Sequence, residues 1–237
     1  MERCILKLSG GALKGKRESG IDPDKLLSIT AQIYEAQKLN IKSIGIVFGG
    51  GNFFRGRDSE KIGLDRVDCD YLGMLGTIFN SVALKDALEK LGAKVKLFTS
   101  LEVPKAIETY DKDKANKAFK DGYIVIFAGG TGRPYCSTDT ATLEKARDTH
   151  AKLILMAKEG TDGVYDSDPN KNKNAKKYDI LSHKEILEKR LEVMDPDAAK
   201  IADEENIDIL VFNIDEGHAI LDAVKGNIQG TLIKKEI

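Results

Sequence analysis

Tryptophan is absent, and cysteine, histidine and proline are scarce: three, three and five residues in a chain of 237. Cys4, Cys69 and Cys136 stand far apart and are odd in number. That excludes a disulfide framework and offers no metal-ligand spacing, so no resident metal is expected and a reducing, cytoplasmic compartment fits. His150, His183 and His218 fall in no motif, and no Ser/His/Asp or Cys/His arrangement is visible. No apolar run approaches the roughly 20 residues of a membrane-spanning helix. Met1–Leu8 reads as an opening strand rather than a leader, because its apolar run is short and is broken at Lys7. Charge of one sign is lacking too. Lys plus Arg is 37 and Asp plus Glu is 38, a net charge of -1. Neither a nucleic-acid surface nor a polybasic membrane anchor follows from that balance.

What is present is a folding composition, 41 % hydrophobic and 32 % charged. Residues 1–237 read as a single domain. Short apolar runs alternate with amphipathic stretches. Strands are expected at Cys4–Leu8, Ile41–Phe48, Val95–Phe98, Tyr123–Phe127, Lys152–Met156 and Ile209–Phe212, with an edge strand at Thr231–Ile233. Helices are expected over Asp24–Lys38, begun by the Asp22-Pro23 cap, and over Asp70–Leu91, Ala115–Phe119 and Thr138–Thr149. Asp162–Tyr178, rich in Asp, Asn, Lys and Gly, reads as a surface hairpin or loop whose lysines form a solvated face. The alternation predicts an α/β three-layer sandwich with a mostly parallel central sheet and helices on both faces. Sites in such sheets lie beyond the carboxyl ends of the strands.

Three of those ends open into small-residue loops: Lys7-Leu8-Ser9-Gly10-Gly11, Gly49-Gly50-Gly51-Asn52 followed by Arg55, and Gly129-Gly130-Thr131-Gly132. Glycine lets backbone N–H groups approach phosphate oxygens. One such loop is explained by a tight turn; three on one sheet edge favour a phosphate site. None matches the P-loop pattern, and Phe53 and Phe54 break the dinucleotide pattern after Gly51. Lys7 interrupts an apolar strand, which is costly unless it meets an anion. Asp70, Asp139, Asp162, Asp168 and Asp195 form a second group, each with an ordinary reading as a cap, first-turn charge or turn residue. The missing general base fits transfer to a phosphate. Such an acceptor is already an oxyanion near neutral pH and needs cations and alignment instead.

The runs Lys7–Gly10, Gly49–Gly56, Asp70–Leu75, Gly130–Gly132, Ser137–Asp139, Asp162–Pro169 and Val193–Asp195, in this order, resemble the UMP kinase branch of the amino-acid kinase family. The resemblance runs from Ile5 to Leu232. It implies ATP, with Mg²⁺, as phosphoryl donor and UMP as acceptor. By that resemblance an N-terminal part binds UMP and assembles the oligomer, and a C-terminal part binds ATP. Catalytic roles fall to Lys7, Arg55, Asp139 and Lys158, with Asp139 holding Lys7 in place. The acceptor site takes Gly50, Asp70 and the run Thr131, Gly132, Arg133, Pro134, Tyr135, Cys136, Ser137 and Thr138. The donor site takes Lys7, Leu8, Ser9, Gly10, Gly51, Arg55, Glu159, Tyr165 and Asp168. The resemblance also implies a homohexamer, with GTP and UTP as candidate effectors and Gly15–Gly20 as the segment linked to GTP. The chain departs from the family pattern at Gly11, where Glu is usual, at Arg133 and Cys136, and at Glu159, where a neutral polar residue is usual.

Overall fold

The computed structural model describes residues 2–39, 42–54, 63–103, 105–191 and 193–235. Among these, nine strands form one sheet in the order β4-β3-β5-β2-β1-β6-β10-β11-β9. They are β1 (Glu2–Leu8), β2 (Lys42–Phe48), β3 (Val95–Thr99), β4 (Glu108–Thr109), β5 (Ile124–Ala128), β6 (Leu153–Lys158), β9 (Ile180–Ser182), β10 (Asp208–Asn213) and β11 (Thr231–Lys234). Only the β10–β11 pairing is antiparallel. The remaining two, β7 (Val164–Tyr165) and β8 (Lys177–Tyr178), make a separate antiparallel ribbon, so the expected hairpin is present.

Strand periodicity divides the core into two layers. On β1, Cys4, Leu6 and Leu8 face one side with Ile44, Ile46 and Phe48 of β2. That side is covered by α1 (Gly11–Lys14), α2 (Pro23–Lys38), α3 (Arg66–Lys90) and α8 (Ala219–Lys225). Ile5 faces the other side with Val47 and with Ile154 and Met156 of β6. There α4 (Lys112–Lys120), α5 (Thr138–Asp148), α6 (His183–Glu188) and α7 (Pro196–Glu205) cover the sheet. The alternation carries Lys7, and Lys158 at the end of β6, onto the α5 side.

The structure differs from the sequence expectations in several places. The helix expected to begin at Asp70 begins at Arg66: Asp65 is its cap, accepting from the Val67 N–H, and Asp70 lies in its second turn. Either aspartate suits a cap on sequence grounds, and the apolar periodicity starts too late to choose between them. The strand near Thr231 is not an edge, because β9 pairs outside it. Three residues of β9 are too few to give a period. Helices α6, α7 and α8 were not anticipated, although Ser182 and Glu185 form a capping box and Asp195-Pro196 opens α7.

Candidate active site

Lys7 and Lys158 reach the carboxyl edge of the sheet on neighbouring strands, and α5 aims its first turn at them. Ser137 caps α5, its hydroxyl accepting from the Asp139 and Thr140 N–H groups. Asp139 is therefore not the cap but a first-turn residue, free to project inward. Lys7 Nζ lies 2.7 Å from Asp139 Oδ1, and their side chains are only 10 % and 16 % exposed. The anion that the misplaced strand lysine required is thus supplied within the chain. Lys158 Nζ donates to the Val193 carbonyl at 2.7 Å. Burial would raise the Asp139 pKa, but the fields of Lys7 and Lys158 win and hold it below the usual carboxylate range. Burial, then Lys7, pushes the Lys158 pKa down, with Asp139 opposing. Lys7 pairs with the carboxylate while the charge of half-buried Lys158 bears on it without contact, a pair plus a surplus positive charge at the sheet edge.

A cavity of about 480 Å³ opens on one side of this cluster. Gly50 and Gly51 line it from the β2 end; Asp70, Met74 and Thr77 from α3; Gly130, Thr131, Arg133, Tyr135, Cys136, Ser137 and Thr138 from the β5–α5 loop. Gly132 and Pro134 belong to that loop. Asp70 accepts from Arg66 Nε at 3.0 and 3.1 Å and from the Tyr135 N–H at 2.8 Å. Tyr135 has φ of 61°, a left-handed conformation that a tyrosine rarely adopts. Asp70 thus pins a strained loop rather than capping a helix.

The loops are fixed from behind. Asn52 and Asn80 exchange amide hydrogen bonds at 2.8 Å, and Asn80 Nδ2 also donates to the Gly49 carbonyl at 2.8 Å. The Gly129 N–H donates to Thr77 Oγ1 at 2.8 Å. A Cβ on Gly50 would run into the Gly73 carbonyl, so α3 packs directly on that backbone.

A second cavity, about 510 Å³, lies on the other side and is lined by Lys158, Tyr165, Asp168, Lys171 and Val211 among others. Tyr165 donates to Asp162 at 2.6 Å, and Lys177 Nζ binds the same carboxylate at 2.8 Å. Lys171 lies 3.5 Å from Asp168. Lys171, Lys173 and Lys176 are exposed, as the solvated-face reading expects, while Lys177 is drawn onto Asp162. Leu8 ends β1, and Ser9 and Gly10 follow it into α1; none of the three lines either cavity. Glu159 does not line the second cavity; its carboxylate lies against Gly11. Arg55 lies outside the described residues.

A profile of the amino acid kinase family matches residues 2–213. The chain belongs to the amino acid kinase family. A uridylate kinase of Pediococcus pentosaceus is 43 % identical over 235 residues, which span 99 % of this chain and 97 % of that protein. The crystal structure of UMP kinase from Ureaplasma parvum superposes with a TM-score of 0.94 at 36 % identity, covering 99 % of both chains. That of UMP kinase from Bacillus anthracis gives 0.94 at 38 % identity, covering 100 % of this chain and 97 % of the other. The α/β kinase fold expected from the sequence is the one found.

Sequence reasoning missed several residues of this amino acid kinase's first cavity: Arg66, Met74, Thr77, Thr140, Pro196 and Asp197. It named Asp195 without a role. Asp195 caps α7 through the Ala198 N–H, accepts from Thr140 Oγ1 at 3.0 Å and from Ser137 Oγ, and so ties α7 to the start of α5. The Asp-Pro pair was its legible signal.

Proposed function

We propose that this chain is an ATP-dependent UMP kinase, transferring the γ-phosphoryl group of ATP to UMP to give UDP and ADP in pyrimidine nucleotide synthesis. The observation that carries the reading is the Lys7–Asp139–Lys158 cluster set between two cavities at one sheet edge. UMP occupies the first cavity, with its ribose at Asp70 and its base at the Thr131–Thr138 loop. ATP occupies the second, near Tyr165 and Asp168. The phosphates meet over Ser9, Gly10 and Gly51, where Lys7, Lys158 and Arg55 offset the charge of the transition state. Asp139 keeps Lys7 oriented and favours the charged form of Lys158. The acceptor oxygen is already ionised, so no side chain has to remove a proton.

Among the described residues, no group of three or more His, Cys, Asp or Glu side chains could hold a metal ion. The divalent cation, Mg²⁺, is proposed to arrive as part of the nucleotide substrate. The N-terminal half is the acceptor and assembly half, and the C-terminal half is the donor half. Leu72, Leu75 and Phe79, exposed on the outer face of α3, support self-association, and the assembly proposed is a homohexamer. GTP and UTP are proposed effectors, with Gly15–Gly20 involved in the response to GTP. No helix among the described residues is long and apolar enough to cross a membrane; a cytoplasmic location is part of the proposal.

A phosphoryl-transfer assay with Mg-ATP against UMP, AMP, GMP and acetylglutamate tests the reading; preferential turnover of a carboxylate overturns it. The Asp70→Asn variant sharpens it. Asn retains an acceptor for the Tyr135 N–H but loses charge-assisted bonds worth on the order of 1–3 kcal/mol. The KM for UMP should rise about tenfold or more while that for ATP changes little. An unchanged KM for UMP removes Asp70 from the ribose site.

A further inference from the structure

Arg66 and Asp70 stand one turn apart on α3, and both line the first cavity. On most helices such a pair is a surface ion pair of little consequence. Here its geometry bears on the site. Arg66 Nε lies 3.0 Å from Asp70 Oδ1 and 3.1 Å from Oδ2, so its single N–H points between the two oxygens. The Tyr135 N–H takes a further place on Oδ2 at 2.8 Å. These three contacts fill all but one of the roughly four lone-pair sites of a carboxylate. A vicinal diol brings two hydrogen bonds. Asp70 therefore cannot take both ribose hydroxyls of a nucleotide and keep both of its present partners.

The two partners differ in what it costs to release them. The Tyr135 N–H belongs to the loop that walls the cavity, and its bond holds that residue at φ of 61°. The Arg66 side chain is 54 % exposed and flexible, and its guanidinium carbon already lies 5.5 Å from the centre of the Tyr135 ring. It can leave the carboxylate and keep the ring. We propose that Arg66 is a placeholder for the acceptor's sugar: it occupies the position of the ribose hydroxyls on Asp70 and yields it to them when the nucleotide enters. The proposal rests on the reading of Asp70 as the ribose contact. The Tyr135 N–H stays on Oδ2 throughout, so the cavity wall keeps its shape while the other partner is exchanged. Part of the diol's contribution to binding goes into displacing Arg66.

The test is calorimetric binding of UMP and of 2′,3′-dideoxy-UMP, which lacks the diol, to the parent, Arg66→Met and Arg66→Ala, beside their melting curves. Losing a positive charge acts equally on the two phosphates, so the ratio of the two affinities isolates the diol. That ratio should rise about threefold to fivefold in both variants, the worth of an exposed ion pair no longer displaced. A positioning role for Arg66 on Asp70 predicts the opposite sign. A ratio that is unchanged or lower in folded variants therefore overturns the proposal. If neither the parent nor the variants distinguish the two ligands, the ribose does not lie at Asp70, and the proposal falls with that placement. Turnover of UMP by the parent, measured alongside, decides the kinase reading separately.

Discussion

Buried lysines in this molecule fall into two kinds, distinguished by what faces them. Lys7 meets a carboxylate at 2.7 Å, and its charge is held at the sheet edge where phosphates would gather. Lys145, on α5, is 5 % exposed and instead has its Nζ 3.3 Å from the centroid of the Tyr110 ring. Burial pushes its pKa down to about 8, with Asp148 and Glu144 opposing. The unfolded chain holds that proton to about 10.4, so it binds more protons than the folded chain between pH 8 and 10.4. Stability from this group therefore rises with pH across that window, and below it the buried charge is a net cost of roughly 3 kcal/mol. Part of that cost is offset by the ring, a contribution of about 1–2 kcal/mol. Lys145→Met should accordingly be more stable than the parent at pH 7 by about 1–2 kcal/mol, with the gap closing or reversing by pH 10. Urea unfolding of both proteins at the two pH values measures it; a gap that does not change with pH removes the buried charge as its cause.

Helix α3 sets the site more than any other element. Within the one helix, Thr77 receives the Gly129 N–H, Asn80 holds the Gly49 carbonyl and the Asn52 amide, and the Gly73 carbonyl packs on Gly50. Two glycine loops from different strands are thereby fixed against a single rigid support. Glycine loops are otherwise costly to order, and these buried hydrogen bonds supply the constraint. In Asn80→Ala, the Gly49 carbonyl and the Asn52 side chain lose buried partners, at about 1–3 kcal/mol for each unsatisfied group. The expected outcome is a loss of stability of about 2–4 kcal/mol and a raised KM for UMP. Denaturant unfolding with steady-state kinetics would show it, and a silent variant would mean that packing alone holds the loops.

At the scale of the whole molecule, one face of α3 stays uncovered. Tyr71, Leu72, Leu75, Phe79 and Val82 are all exposed, Phe79 by 64 %. Phe53, beside the Gly49–Asn52 loop, reaches the same surface, its ring 5.2 Å from that of Phe79. A contiguous apolar strip of this kind marks an interaction surface. The helix whose inner side fixes the acceptor loops would then present its outer side to a second copy of the chain. Phe79→Glu should place a charge in that contact and yield a smaller species in sedimentation analysis, with the monomer fold preserved. An unchanged mass would exclude the α3 face from the assembly.

The sequence by itself determined the alternation of strands and helices, and with it the mostly parallel sheet, because both periods are local properties of the chain. It also marked the site's edge: three apolar strands ended in small-residue loops, and Lys7 stood where an apolar side chain belonged. Period two even puts Lys7 on the face of Ile5, although nothing local says what lies across from it. The resemblance paired Asp139 with Lys7, and the tertiary structure sets them 2.7 Å apart; only that structure decided that the charge of Lys158 bears on the same carboxylate and that Glu159 fills the space left by Gly11. It likewise decided that Asp70 pins Tyr135 instead of capping α3, and that three-residue β9 closes the sheet beyond β11. These are contacts between segments distant in the chain. They are set by which strands lie side by side and which helix end points at them, and no local pattern of residues encodes that choice.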